Sequence, residues 1–111
     1  MPNRINKINE LIKKNIGEII LKDINLKPGL FITVTKVDTT KDLRYTRVFV
    51  SIFPEKDIDY AIKTLEGELY NIQGFLNRQL SLKPLPRIEF KIDKTESEAQ
   101  KIETLIKEIR S

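Results

Sequence analysis

Phe31-Ile32-Thr33-Val34-Thr35-Lys36-Val37, a polar stretch from Asp38 to Asp42, and then Arg44-Tyr45-Thr46-Arg47-Val48-Phe49-Val50-Ser51-Ile52-Phe53 decide the fold. Both apolar runs are rich in β-branched and aromatic residues, which fit a pleated, half-buried surface. The connector is too short for a crossover, so the two runs form an antiparallel hairpin. In the second strand Thr46, Val48, Val50 and Ile52 share one face, and Tyr45, Arg47, Phe49, Ser51 and Phe53 share the other.

Helical patterns flank the hairpin. Ile5, Ile8, Ile12, Ile16, Ile19 and Ile20 recur at helical spacing, with Lys7, Glu10, Lys13 and Lys14 on the opposite side. They predict an amphipathic helix from about Asn3, its candidate cap, to Leu21. Leu26-Lys27-Pro28-Gly29 then breaks the chain, because Pro28 cannot continue a helix and Gly29 tolerates positive φ. Beyond the hairpin, Pro54-Glu55-Lys56-Asp57 opens a second helical region, with acids near its positive end. Ile58, Ile62, Leu65, Leu69, Ile72, Leu76 and Leu80 carry it to about Leu82, and Pro84 and Pro86 end it. Gly67 and Gly74 lie inside, each costing roughly 1 kcal/mol against Ala, so a bend or break between two shorter helices is expected. Arg87 to Asp93 alternates strictly and reads as a third, half-exposed strand. Thr95-Glu96-Ser97-Glu98 fits a capping box, and Ala99, Ile102, Ile106 and Ile109 mark a final helix. Three helices need an apolar sheet face to pack on, so Phe49 and Phe53 are expected in the core, with Tyr45 and Arg47 open to other uses.

Composition narrows the chemistry. The 111 residues suit one domain, 1–111, and are too few for two separate cores. There is no Cys, His or Trp, which removes disulfides, thiolate nucleophiles, zinc–thiolate sites and the usual neutral-pH base. The four glycines are scattered and form no phosphate-binding loop. Asp38 and Asp42 flank a turn, and a polar hairpin turn explains them better than a metal site. No catalytic residue, metal or cofactor is expected, and the chain reads as a non-enzyme. Met1 to Lys14 is polar and charged, and no apolar run exceeds three residues, so no secretory signal or membrane span is expected. A cytoplasmic location and a monomeric state follow as expectations.

Charge carries more information. Twenty Lys and Arg against sixteen Asp and Glu give +4 and permit a polyanionic partner without demanding one. The excess is segregated. Met1 to Leu30 holds six bases against three acids, and Asn71 to Lys91 holds four against one. Many lysines on helices simply solvate a face. If the two basic segments meet in the fold, they make one phosphate-binding patch, giving affinity and salt dependence but little sequence choice. Tyr45 and Arg47, with Phe49 and Phe53 if these are not core, could also offer bases a stacking platform.

At this point the sequence resembles bacterial ribosome-binding factor A. The likeness runs through the basic first helix from Arg4-Ile5-Asn6-Lys7 to Gly17-Glu18-Ile19-Ile20 and the strand Phe31 to Val37. It continues through Asp42-Leu43 with Arg47-Val48-Phe49-Val50-Ser51, then Leu82-Lys83, Pro86, Ile88-Glu89-Phe90 and Asp93, and ends at Ile102-Glu103-Thr104-Leu105-Ile106. The family implies an α+β, type II KH-like domain: α-β-β-α(bent)-β plus a C-terminal helix, with a three-stranded sheet packed on helices. It also implies binding to the small ribosomal subunit and help in maturing small-subunit rRNA, without catalysis. Two departures stand out. The family's small-x-Gly kink falls on Glu68-Leu69-Tyr70, and its arginine soon after the kink falls on Gln73, while an Arg-Leu-Arg run becomes Ser81-Leu82-Lys83.

The expected RNA-binding residues, as phosphate partners, are Arg4, Lys7, Lys14, Lys36, Arg44, Arg47, Arg78, Lys83 and Arg87. The expected partners are the small ribosomal subunit and its rRNA. The alternative is a protein-interaction module docking a ribosomal protein with incidental RNA contact.

Overall fold

The computed structural model describes residues 4–80 and 85–94. The proposed cap Asn3, the residue Lys83 and the helix expected around Ala99 to Ile109 lie outside the described residues. Helix α1 spans Arg4–Asp23 and buries Ile8, Ile12, Ile16, Ile19 and Ile20, the stripe expected from their spacing. A turn closed by Leu30 N–H donating to the Lys27 carbonyl follows, and Gly29 takes φ of 84°, the left-handed region.

Strands β1, Phe31–Thr39, and β2, Tyr45–Phe53, form the expected antiparallel hairpin. The turn is shorter than the sequence suggests because Asp38 and Thr39 still pair with Arg47 and Thr46. Leu43 occupies the left-handed region at φ 61°, which is uncommon without glycine. Asp42 supports that backbone, its carboxylate accepting from the Thr40 hydroxyl at 2.5 Å and from Arg44 N–H at 3.1 Å.

After a single 3₁₀ turn at Glu55–Asp57, the second helical region is two helices, α2 at Ile58–Gly67 and α3 at Leu69–Gln79. The break falls at Glu68, where ψ flattens to 1°, and Gly74 continues inside α3. Two backbone bonds meet at this residue: Glu68 N–H donates to the Thr64 carbonyl, and the Glu68 carbonyl accepts from Ile72 N–H. Leu65 before the break and Ile72 and Leu76 after it all stay buried. The helix ends at Gln79, short of Leu82.

Strand β3, Arg87–Ile92, returns parallel to β2, giving a mixed sheet in the order β1-β2-β3. The architecture is α+β and KH-like. One sheet face, carrying Val37, Thr46, Val48, Val50, Ile52 and Ile88, is buried with the isoleucines of α1 and with Ala61, Leu65, Ile72 and Leu76 of α2 and α3.

This overturns one expectation. Phe53 is 67% exposed and Phe49 is half-buried, because strict alternation along β2 turns both away from the face the helices cover. Thr46 takes the core place instead. Thr39 donates to Asn9 Oδ1 at 2.5 Å and lies 2.9 Å from Thr46, so the Thr46 hydroxyl donates to Thr39 and both buried hydroxyls are satisfied.

Candidate nucleic-acid interface

Pairing register places the side chains of the outer sheet face in rows. At the turn end Tyr45 stands opposite Arg87, and Arg87 N–H donates to the Arg44 carbonyl. In the next row Arg47 has Asp38 on one side and Glu89 on the other. Then Phe49 sits between Lys36 and Lys91, with the Lys36 ammonium 5.6 Å from the ring centroid. Phe31 opposite Phe53 closes the far end.

A second group of cations lies on the helix side of the β1 edge. Lys7 and Lys13 of α1 line an open groove with Thr35 and Lys36 of β1. Lys13 and Lys14, with Glu10 and Glu18 among them, line its continuation, whose floor is apolar at Ile20, Leu26, Leu30 and Ile32. Lys36 belongs to both groups, at the corner where groove meets outer face.

The expected phosphate partners therefore separate. Lys7, Lys14 and Lys36 come together around the β1 edge, while Arg44, Arg47 and Arg87 share the outer face and its turn. Arg47 is partly offset by its acidic neighbours, and Arg44 lies 3.9 Å from Asp42. Arg4 is exposed at the start of α1. Arg78 stands apart on α3, its guanidinium 4.8 Å from the Phe75 centroid, in a depression that also holds Asp23 and Glu68. Lys83 lies outside the described residues. Among the described residues the two basic segments do not form one patch, because Arg78 stands apart on α3 and the sheet lies between α1 and Arg87 and Lys91. Lys13 and Lys91 belong to the groups formed. Lys91 gains its place only through parallel pairing with β2, which no local pattern announces.

Gln73 explains the missing basic residue after the break. Its side-chain amide donates to the Pro86 carbonyl at 3.0 Å and accepts from Ile88 N–H at 3.1 Å, so it fastens α3 to the start of β3. Among the described residues no group of three or more carboxylates could hold a metal ion, and no helix is long and apolar enough to cross a membrane.

Comparison with known proteins places this arrangement. The family model described as ribosome-binding factor A matches residues 4–106. The chain belongs to the ribosome-binding factor A family. A member from Clostridium perfringens is 34% identical over 108 residues, covering 94% of this chain and 92% of that protein. One from Clostridium botulinum is 32% identical over 109 residues, covering 96% and 91%. The crystal structure of ribosome-binding factor A from Thermus thermophilus superposes with a TM-score of 0.71 at 25% identity, covering 82% of this chain and 97% of that one. A homology model of the Thermus thermophilus factor, fitted into a cryo-EM map of its complex with the 30S particle, gives 0.64 at 28% identity, covering 77% and 90%. Within the ribosome-binding factor A pattern, the helix break at Glu68 sits where the family's kink was expected, although neither small residue of that kink is present.

Proposed function

We propose that this chain is a non-catalytic ribosome assembly factor. It binds the small ribosomal subunit as a monomer, in the cytoplasm, with residues 1–111 acting as one KH-like domain, and it assists maturation of small-subunit rRNA. The observation that carries the proposal is family membership together with the Thermus thermophilus relative fitted on a 30S particle. The cations around the β1 edge supply a means. Lys7, Lys13, Lys14 and Lys36 come from two elements and flank one groove, the geometry needed to track a phosphate backbone. Arg4, Arg44, Arg47, Arg78, Lys83 and Arg87 are proposed as further phosphate partners. Such contacts release counterions and hold an rRNA conformation without reading its sequence.

The test is a salt titration of binding to immature small subunits. Reversing Lys7, Lys13, Lys14 and Lys36 to Glu should weaken binding by at least a hundredfold at low salt. It should also flatten the dependence of log K on log salt by roughly 3, at about 0.7 to 0.9 per phosphate contact. Unchanged affinity in the reversed protein would refute the role of the groove. Wild-type binding that ignores salt would favour docking on a ribosomal protein instead.

A further inference from the structure

We propose that the outer face of the sheet is a stacking site for single-stranded RNA, an inference that rests on the rRNA-binding reading above. The face carries a row of aromatic rings on one strand. Tyr45, Phe49 and Phe53 alternate outward along β2, about 13 Å apart by strand rise. Tyr45 is 44% exposed and Phe53 67% exposed, and Phe49 between them is half-buried. The first two rings each have cations beside them. Arg87 stands opposite Tyr45 with Arg44 next to it, and Lys36 and Lys91 stand on either side of Phe49. No acid within 4 Å pairs with Lys36, Lys91 or Arg87 among the described residues. The acids Asp38 and Glu89 flank Arg47 in the row between these two rings, and Asp93 accepts from the Thr35 hydroxyl at 2.6 Å.

A flat ring with a mobile cation in reach suits a nucleobase whose phosphate lies alongside. Stacking takes the base and the ammonium or guanidinium takes the charge. Repetition of the unit along a strand fits a polymer with repeating rings and repeating negative charge better than a single small ligand. A duplex cannot use the rings, because its base faces are already stacked. The cationic groove and the outer face share Lys36, so one RNA could follow the β1 edge from backbone contacts to base contacts.

The test uses the full chain and a short fluorescein-labelled oligoadenylate, with a duplex RNA of equal length as control. Phe49→Leu keeps an apolar side chain but removes the ring. It should weaken single-strand binding roughly tenfold and leave duplex binding unchanged, while Phe49→Trp should restore the single-strand affinity. Bound oligoadenylate should protect Lys36 and Lys91 from amine acylation and leave Lys63, exposed on α2, reactive. Equal loss on single strand and duplex, or no loss in Phe49→Leu, would overturn the stacking site. Protection of Lys36 and Lys91 by a ribosomal protein but not by the oligonucleotide would overturn it in favour of a protein occupant. Wild-type protein that binds immature small subunits but ignores the oligonucleotide would sink this inference alone. Binding to neither would sink the rRNA reading with it.

Discussion

Replacing Gln73 by Met should loosen the start of β3 from the helices. Arg87 N–H points toward β2, where it donates to Arg44, so Ile88 N–H points the other way, off the free edge of the sheet. Gln73 meets it there. Its amide accepts from Ile88 and donates to Pro86, the same pair of bonds a neighbouring peptide unit would make. Methionine keeps the length and removes both bonds. Each neutral bond contributes about 1 kcal/mol net, and a buried N–H left without a partner costs about 1 to 3 kcal/mol. Ile88 is only 1% exposed, so water does not readily replace the lost acceptor. The expected loss is about 2 kcal/mol, read as a fall in melting temperature of roughly 10 °C for a chain of this size. Amide exchange should locate it, with protection at Ile88 falling more than at Val48. A Gln73→Met protein that melts within a degree of the original, with Ile88 still protected, would refute the clamp.

Two further outcomes follow from polar groups elsewhere. Thr39→Val should cost more than Thr46→Val, about 2 against 1 kcal/mol by denaturant melts, because Thr39 is the middle member that serves both Asn9 and Thr46. Equal costs would mean the three are not a chain. The Thr40 hydroxyl, then the Arg44 N–H and the Arg44 charge, hold the Asp42 carboxyl below its usual value. Its contribution to stability is thus complete above the ordinary carboxylate range and is lost as pH falls through the folded value. The stability gap between the original protein and Asp42→Ala should close below about pH 4 and stay constant from there to neutrality.

The elements were legible where one local signal acted without competition. The isoleucine stripe of α1 fixed its buried face, and the alternation of β2 correctly separated Val48 and Val50 from Tyr45 and Arg47. The error at Phe53 came from weighing hydrophobicity above position. A phenylalanine on the wrong parity of a strand is exposed however apolar it is, and threonine at position 46 is buried because its hydroxyl finds a partner. The two glycines announced a helix break but not its place, which came only from the family's kink falling on Glu68-Leu69-Tyr70. Gly67 and Gly74 weaken the helix equally by propensity, and burial of both Leu65 and Ile72 decides between them only once the sheet is in position. The family pattern was legible, yet the role of Gln73 was not, since its partners Pro86 and Ile88 are brought to it by the return of the chain into β3.

The placement of Lys36 shows why charge was the least legible property. Ile32 and Val34 point to the helices, so simple alternation along β1 would drive Lys36 into the same core beside them. It is exposed because Thr35 is an extra residue: Val34 pairs with Val50 while Lys36 pairs with Phe49, and the parity of every later residue is reversed. The bulge delivers Val37 and Thr39 inward and Lys36 outward in one step. Thr35 is held by bonds to the Phe49 carbonyl at 3.3 Å and to Asp93, which anchors the bulge across β2 to the end of β3. β1 is also an edge strand, whose free backbone groups invite pairing with another chain. A bulge that twists the edge, with a lysine at its tip, is among the ways such edges are kept from association. The same irregularity therefore protects the edge and sets Lys36 at the corner shared by the α1 groove and the aromatic face, so that a cation the alternation would bury becomes the link between the two proposed RNA-binding surfaces.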